Sequence, residues 1–419
     1  MQQPNFQQPP KFGPGLAAGA MSGTLLEWYE AWLFAVGARY VGNAFFPSKE
    51  PIVSLLSTFI VFAIGFAARP FGAIFWGWVG DRRGRSHVML WTLSLGGIAT
   101  VLIGFVPNYA SIGIAAPILV ALLRIVQGFS LGGEWGGAVN YIFENLRRRR
   151  RLLLSLVQST VALGLLLAAA VFLVLESVMG TAATASWGWR IAYWLAAIVV
   201  VVGLLFRLRF GETLEYIEAK LAEKSPRNPL REVFTKYLFG TIVSIVLAGA
   251  AGAVFYYGNT FAPNLARSLN AVTSQEQFLA VIAFAVVEFF GVLLSGVLAE
   301  SIGPRATIIA GNVLSLAPIA LIGMILNGFQ GLLTVAVLAG LAHGIIYTAE
   351  AAYIAELYPT LARTTGLSVA YQFGNAIFAA TAPSIMTVLY RGYGLYVASL
   401  YVAALSVLTV ILVAAYRRR

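Results

Sequence analysis

The chain has 419 residues, 59% of them hydrophobic and only 11% charged, with a mean hydropathy of +0.81. Soluble domains average ~25% charged residues, so a water-soluble globular fold is excluded and a chain that crosses the membrane many times is expected. Cysteine is absent and histidine occurs twice, which excludes disulfide and thiolate chemistry and leaves no ligand spacing for a metal.

The first fifteen residues are polar, rich in Gln, Pro and Gly, and lack the basic-then-apolar pattern of a signal peptide; residues 1–15 are expected to be a disordered cytoplasmic tail. Twelve apolar stretches near ~20 residues in length then follow, at about 17–38, 52–79, 88–106, 113–141, 153–178, 188–208, 237–262, 278–299, 306–327, 331–356, 365–389 and 394–416. Between the second and third lies GDRRGR, residues 80–85, a short basic loop that contains Asp81, the sole aspartate of the chain. Between the sixth and seventh lies the longest polar stretch, where Leu214, Ile217 and Leu221 fall at helical spacing among Glu212, Glu215, Glu218 and Lys220. That pattern predicts an amphipathic surface helix, ended by Pro226 and Pro229. The expected division is a six-helix bundle over 16–209, a cytoplasmic linker over 210–235 and a second six-helix bundle over 236–419.

The halves repeat each other. SGVLAESIGPR follows the eighth stretch as GDRRGR follows the second, YIFE at 141–144 recurs as YIAE at 353–356, and LSLVQ at 154–158 recurs as LSVAYQ at 367–372. Three matches in order, at similar offsets, indicate one duplicated unit and a parallel pair of bundles. The +11 net charge is distributed unevenly. With both termini inside, Lys11, Arg82, Arg83, Arg85, the Arg147–Arg151 run, the 207–236 segment, Arg305, Arg363 and Arg417–Arg419 all fall on the cytoplasmic side. This is the positive-inside pattern of a multi-pass cell-membrane protein, with contacts to anionic lipid expected and no nucleic-acid partner.

Charges within apolar stretches are costly, ~2.5 kcal/mol or more at the bilayer centre, and are functional candidates for that reason. The first stretch carries Glu27 and Glu30, whose i, i+3 spacing puts both on one helix face. Two carboxylates close together in low dielectric do not readily both ionise, which suits a proton carrier; the competing reading is a pair held by Arg69 or Arg124 without cycling a proton. The fourth carries Arg124, Gln127 and Glu134 among Gly128, Gly132, Gly133, Gly136 and Gly137, a smooth face for close packing. Arg69-Pro70 interrupts the second and points to packing or gating. The second half offers Glu288 and a stripe of His343, Tyr347 and Glu350 at i, i+4, i+7, with Tyr256, Tyr257, Asn259, Tyr371, Gln372 and Asn375 as further polar candidates; the tyrosines could equally be interface aromatics.

Several segments resemble the metabolite:proton symporter family of the major facilitator superfamily. These are GTLLEWYE in the first stretch, RPFG before the basic loop, RIVQGFSLGGE in the fourth, WGWRIAYW followed by GETLEY, and ELYPTLARTTGLSVAYQFGNAIFAATAP near the end. Members of that family move organic acids such as 2-oxoglutarate, citrate and shikimate, or osmolytes such as proline and betaine. The resemblance implies an all-α membrane protein of twelve transmembrane helices in two pseudo-symmetric six-helix bundles, the major facilitator fold. It departs from the family pattern at Thr24 and Glu30, where asparagine and aspartate are usual, and at ESIGPR, which lacks most of the charge of GDRRGR.

The expected activity is proton-coupled symport of a small organic acid or similar metabolite by a monomer, without cofactor, metal or enzymatic step. Glu27, Glu30, Arg124 and Glu134 are the candidates for proton coupling. Arg124, Tyr29, Gln158, Tyr256, Tyr257, Asn259, Tyr371, Gln372, Asn375, Glu288, His343 and Glu350 are the candidates for substrate contact. Asp81, Arg82, Arg85, Arg69, Glu144, Arg147, Glu356 and Arg363 are the candidates for gating. Protonation of Glu30 would loosen its hold on Arg124, which would then attract an anionic substrate. The alternative is a uniporter or exchanger of a zwitterionic osmolyte or sugar in which the carboxylates only pack. A signalling receptor would need a large soluble domain, and an intramembrane enzyme would need a nucleophile arrangement; neither is found in the sequence.

Overall fold

The structure is a computed structural model and describes residues 14–416 apart from 84, 133–134, 137–138, 140–148, 208–228 and 359. Its regular structure, among the described residues, is entirely helical. Seven helical runs are long and apolar enough to cross a membrane. One of them, Arg150–Val202, is 53 residues long and folds back at Gly180, whose φ of 79° only glycine adopts at little cost, so it supplies two spans. The shorter apolar helices Leu90–Ile103 and Ala115–Leu131 add the third and fourth spans. Pro14–Val36, continued by Ala38–Phe45, forms the first, and Pro304–Leu314 with Leu316–Ala320 forms the ninth. The twelve expected spans are therefore present.

Proline and glycine set the span ends. Pro51 begins the second span, where its missing N–H is no loss. Thr273 and Glu276 cap the eighth, Ser274–Ser301, with reciprocal hydrogen bonds. The tenth is an unbroken helix, Phe329–Leu357, whereas the seventh and eleventh each contain a π turn, Tyr257–Phe261 and Asn375–Ala379. The second span breaks at Ala68, just ahead of Pro70. The amphipathic helix expected in the linker lies outside the described residues; a separate short helix, Pro229–Thr235, follows it.

Glycines bring the second and fourth spans into backbone contact. A Cβ at Gly128 would lie 1.7 Å from the Gly65 carbonyl oxygen, one at Gly72 1.9 Å from that of Phe129, and one at Gly132 2.1 Å from that of Arg69. Between the halves, the fifth span packs on the eighth and the second on the eleventh. The two pairings exchange when the halves are swapped, as a duplicated unit requires. Large apolar side chains such as Phe71, Trp91, Val178 and Ile411 are exposed on the outside, where only lipid would cover them without cost.

Both ends of the seam are closed. At the end that carries residues 80–85, Arg151 of the fifth span donates to Glu356 Oε1 of the tenth from Nε (3.0 Å) and a terminal nitrogen (2.7 Å), and to the Ala299 carbonyl of the eighth (3.0 Å). Arg150 reaches the same carboxylate at 3.5 Å. At the opposite end Arg391 pairs with Glu50 at 2.8 Å, and Phe278 of the eighth span stacks against Phe172 and Tyr40 of the first half.

Candidate functional site

Between these seals lies a cavity of about 20 Å³, room for about one water molecule, lined by Trp32 and Val161 from the first half and by Ala248, Gly252, Phe255, Tyr256, His343, Tyr347, Glu350, Tyr371 and Asn375 from the second. In this closed form it is far smaller than a small-molecule site, so a cargo can enter only when the helices part. Its wall is mainly aromatic. Trp32, held by donation of Nε1 to the Val161 carbonyl at 3.2 Å, lies 4.7 Å from the Phe255 ring and 5.8 Å from that of Tyr256.

The stripe on the tenth span forms one side. His343 Nδ1 sits 2.6 Å from Glu288 Oε1 of the eighth span. Tyr347 shares a hydrogen bond with Tyr371 at 3.2 Å and accepts one from Trp135 Nε1, also 3.2 Å. Trp135 in turn stacks on Tyr371 with ring centroids 3.7 Å apart. Fourth, tenth and eleventh spans thus meet in one aromatic joint across the halves, reinforced by Gln372, which donates to the Gly132 carbonyl at 2.9 Å. Glu350 differs from these neighbours. It is fully buried, and among the described residues neither carboxylate oxygen has a hydrogen-bond partner.

The first-half charges lie one layer behind the wall. Arg124 donates to Gln127 Oε1, and its guanidinium stands over the rings of Phe34 and Phe62 at 4.7 and 5.3 Å. Gln127 Nε2 donates to Thr100 Oγ1 at 2.6 Å, and Thr100 lies 3.5 Å from Glu30 Oε2. Glu30 and Arg124 are therefore joined through Thr100 and Gln127. The Thr100 hydroxyl, with one proton to give, chooses between Glu30 and the Gly96 carbonyl at 2.9 Å.

Of the residues expected to contact substrate, Tyr256, Tyr371, Asn375, His343 and Glu350 line the cavity. Arg124 does not: its guanidinium is turned into the first bundle by Gln127 and the two phenyl rings. Tyr29 donates to the Ala192 carbonyl of the sixth span, and Tyr257 faces Pro318 and Ser399 in the second bundle. Asn259 bonds Phe255 and Thr260, Gln158 is buried and is not among the residues that line the cavity, and Glu288 is bonded to His343. Among the gating candidates, Glu356 joins the halves, Arg363 donates to the Ala355 carbonyl at 3.0 Å, and Arg69 lies over the Phe66 ring at 4.1 Å. Glu134, Glu144 and Arg147, and the side chains of Glu27, Asp81, Arg82 and Arg85, are outside those described.

Helix count, duplicated halves and a sealed central cavity are the frame of a known family. A model described as Major Facilitator Superfamily matches residues 22–273 and 250–419. The chain belongs to the major facilitator superfamily. It is a membrane transporter and not an enzyme. The inner membrane metabolite transport protein YhjE of Escherichia coli K12 is 34% identical over 403 residues, 94% of this chain and 91% of that protein. A citrate-proton symporter of Klebsiella pneumoniae is 31% identical, with 88% and 83% covered. A crystal structure of a D-xylose-proton symporter superposes with a TM-score of 0.69 over 94% of this transporter and 96% of that chain; at 16% identity it shows the shared fold alone.

Three residues central to the transporter's seam escaped the sequence reading. Trp32 and Trp135 look like any membrane tryptophan in sequence. Arg151 was one of five successive arginines, and only the helix phase decides which of them meets Glu356.

Proposed function

We propose that this transporter carries a small organic acid together with a proton, by alternating exposure of the central cavity to the two sides of the membrane. The observation that carries the reading is a buried, carboxyl-bearing cavity at the seam of two related bundles, closed at both ends by contacts between those bundles. A cavity sealed in this way can only load or unload if one seal opens, and the two seals use different residues. The 150–151/356 seal would face the cytoplasm and the 50/391 seal the outside, as the positive-inside pattern indicates, with both termini cytoplasmic. Proton coupling is supported by buried carboxyls in both halves and by the relative described as a citrate-proton symporter.

A second reading is supported by the cavity wall. Among the described residues, five aromatic rings, one carboxyl without a hydrogen-bond partner and no arginine or lysine line it, which would also suit the ammonium group of a zwitterion. Reconstitution with radiolabelled citrate, proline and glycine betaine under an imposed pH gradient tests both readings. Accumulation of citrate that a protonophore abolishes is the expected result. Accumulation of proline or betaine instead moves the assignment to the zwitterion, and uptake indifferent to pH and protonophore removes proton coupling.

A further inference from the structure

A hydrogen-bond chain crosses from one half to the other in the seal that holds Glu50 and Arg391. Arg267, at the end of the seventh span, donates from Nε to Ser274 Oγ at 3.0 Å. Ser274, at the start of the eighth, is hydrogen-bonded to the Tyr40 hydroxyl of the first span, and Tyr40 donates to Glu176 Oε1 of the fifth. Tyr40 has one proton to give, so Ser274 must donate to it. The chain therefore starts at a cation, ends at a carboxylate and has every donor pointing the same way, the arrangement in which such bonds strengthen one another. Its middle is clamped by rings: Tyr40 lies 5.7 Å from Phe172 of its own half and 6.3 Å from Phe278 of the other. Glu176 is 2% exposed, and its second oxygen has no hydrogen-bond partner among the described residues.

Charge adds to the chain. Arg39, next to Tyr40, interacts electrostatically with Glu176 and with Arg267. Closure thus brings together one guanidinium from each half, and Glu176 is the carboxylate that offsets them. Other charged or titratable groups on the helices around Glu176 are engaged elsewhere. Arg190 of the sixth span donates to Asn108 and lies 4.4 Å over the Trp189 ring. Tyr193, one turn further along, interacts with Arg124 and Tyr29, and Glu276 of the eighth is taken up by the Thr273 cap at 2.7 and 2.9 Å. The π turn Thr184–Gly188 that follows the fifth span carries no charge.

We propose that Glu176 is an external pH sensor, whose negative charge lets the outer seal close and whose protonation from outside releases it. This rests on the reading of that seal as the one that faces outside. With Glu176 neutral, Tyr40 donates to an uncharged acceptor, a bond roughly half as strong. Arg39 and Arg267 then face each other across the seam without a counter-charge, and like charges repel. Both changes favour separation of the halves at that end. The proton binds a Glu176 oxygen from external water and leaves to the same side, so none crosses the membrane at this site. An acidic exterior raises the fraction of transporters open to it.

Single reporter cysteines test the assignment, since the chain has none of its own. Val281 is 1% exposed and lies one turn from Phe278 on the same helix face. Gly392, beside Arg391, is exposed, with nothing within 4 Å of an added Cβ. The labelling rate of V281C divided by that of G392C, with an impermeant maleimide added outside, cancels the reagent's own response to pH. This ratio is expected to rise about five- to tenfold as the external pH falls into the ordinary carboxylate range, the difference between a charged and a neutral acceptor. A ratio unchanged by pH would overturn the proposal, and this arm leaves Glu176 intact. At neutral pH Glu176→Gln should raise the ratio by a similar factor and remove its pH response; a response equal to wild type would overturn the proposal. Arg39→Gln added to E176Q removes one of the two facing cations and should bring the ratio back towards wild type. A ratio that stays high would make E176Q a mere loosening of packing and also overturn it. G392C unlabelled from outside would instead refute the orientation of the seal, while the same ratios in detergent still report on Glu176.

Discussion

Glu356→Gln should loosen the seal at the 80–85 end by an amount the contacts allow to be worked out. Glu356 Oε1 accepts two hydrogen bonds from Arg151, at 3.0 and 2.7 Å, and a longer contact from Arg150 at 3.5 Å. Hydrogen bonds to charged groups contribute about 1.5–3 kcal/mol. The Arg151 and Glu356 side chains are each 22% exposed, so solvent screening reduces this, and glutamine keeps one acceptor oxygen. A net loss of roughly 1–2 kcal/mol remains, a factor of about 5–30 in the ratio of open to closed forms. The natural absence of cysteine allows a single reporter. Ser155 is fully buried and packs where a Cβ on Gly296 would come within 2.7 Å of it, so Ser155→Cys is hidden until the fifth and eighth spans part. Labelling by a water-soluble maleimide should then be faster in S155C/E356Q than in S155C by about the same factor. A rise of less than about twofold would refute the idea that this ion pair holds the seal.

Two further outcomes follow from packing. Gly128→Ala places a methyl group 1.7 Å from the Gly65 carbonyl oxygen and should cost about 1–3 kcal/mol through forced separation of the second and fourth spans; Gly392→Ala, with nothing within 4 Å, should leave the melting temperature in detergent unchanged. Trp135→Ala removes a stack and a hydrogen bond that cross the halves, worth about 0.5–1.5 kcal/mol for the ring pair alone, and should speed S155C labelling; Trp135→Phe, which keeps a ring, should recover part of the difference.

The sequence made the architecture legible because lipid imposes a strong rule: each span must be apolar for its whole length, and each basic loop marks a side. Side-chain phase was less legible. Tyr256 and Tyr257 are neighbours in sequence, but one faces the cavity and the other the ninth and twelfth spans, because successive helix residues point about 100° apart. The His343, Tyr347 and Glu350 stripe could be drawn from helical spacing alone, since the tenth span has no break to disturb the count. Nothing in the sequence pairs His343 with Glu288, which is 55 residues away on another span. Arg124 was expected to meet substrate, but a cation's direction depends on the acceptor it finds, and Gln127 one turn along its own helix turns it away from the cavity.

The π turns carry a mechanical consequence. In each, a backbone N–H reaches back five residues, from Ala262 to Tyr257 and from Ala380 to Asn375, so the helix is wider and less stiff there than an α turn. One begins immediately after Tyr256 and the other at Asn375, both on the cavity wall. The surface that touches the cargo is thus also the joint about which the outer lengths of the seventh and eleventh spans can bend. The unbroken tenth span packs against both as a strut. A force on the wall is converted to rotation of two levers, while Glu350 stays on the part that does not flex.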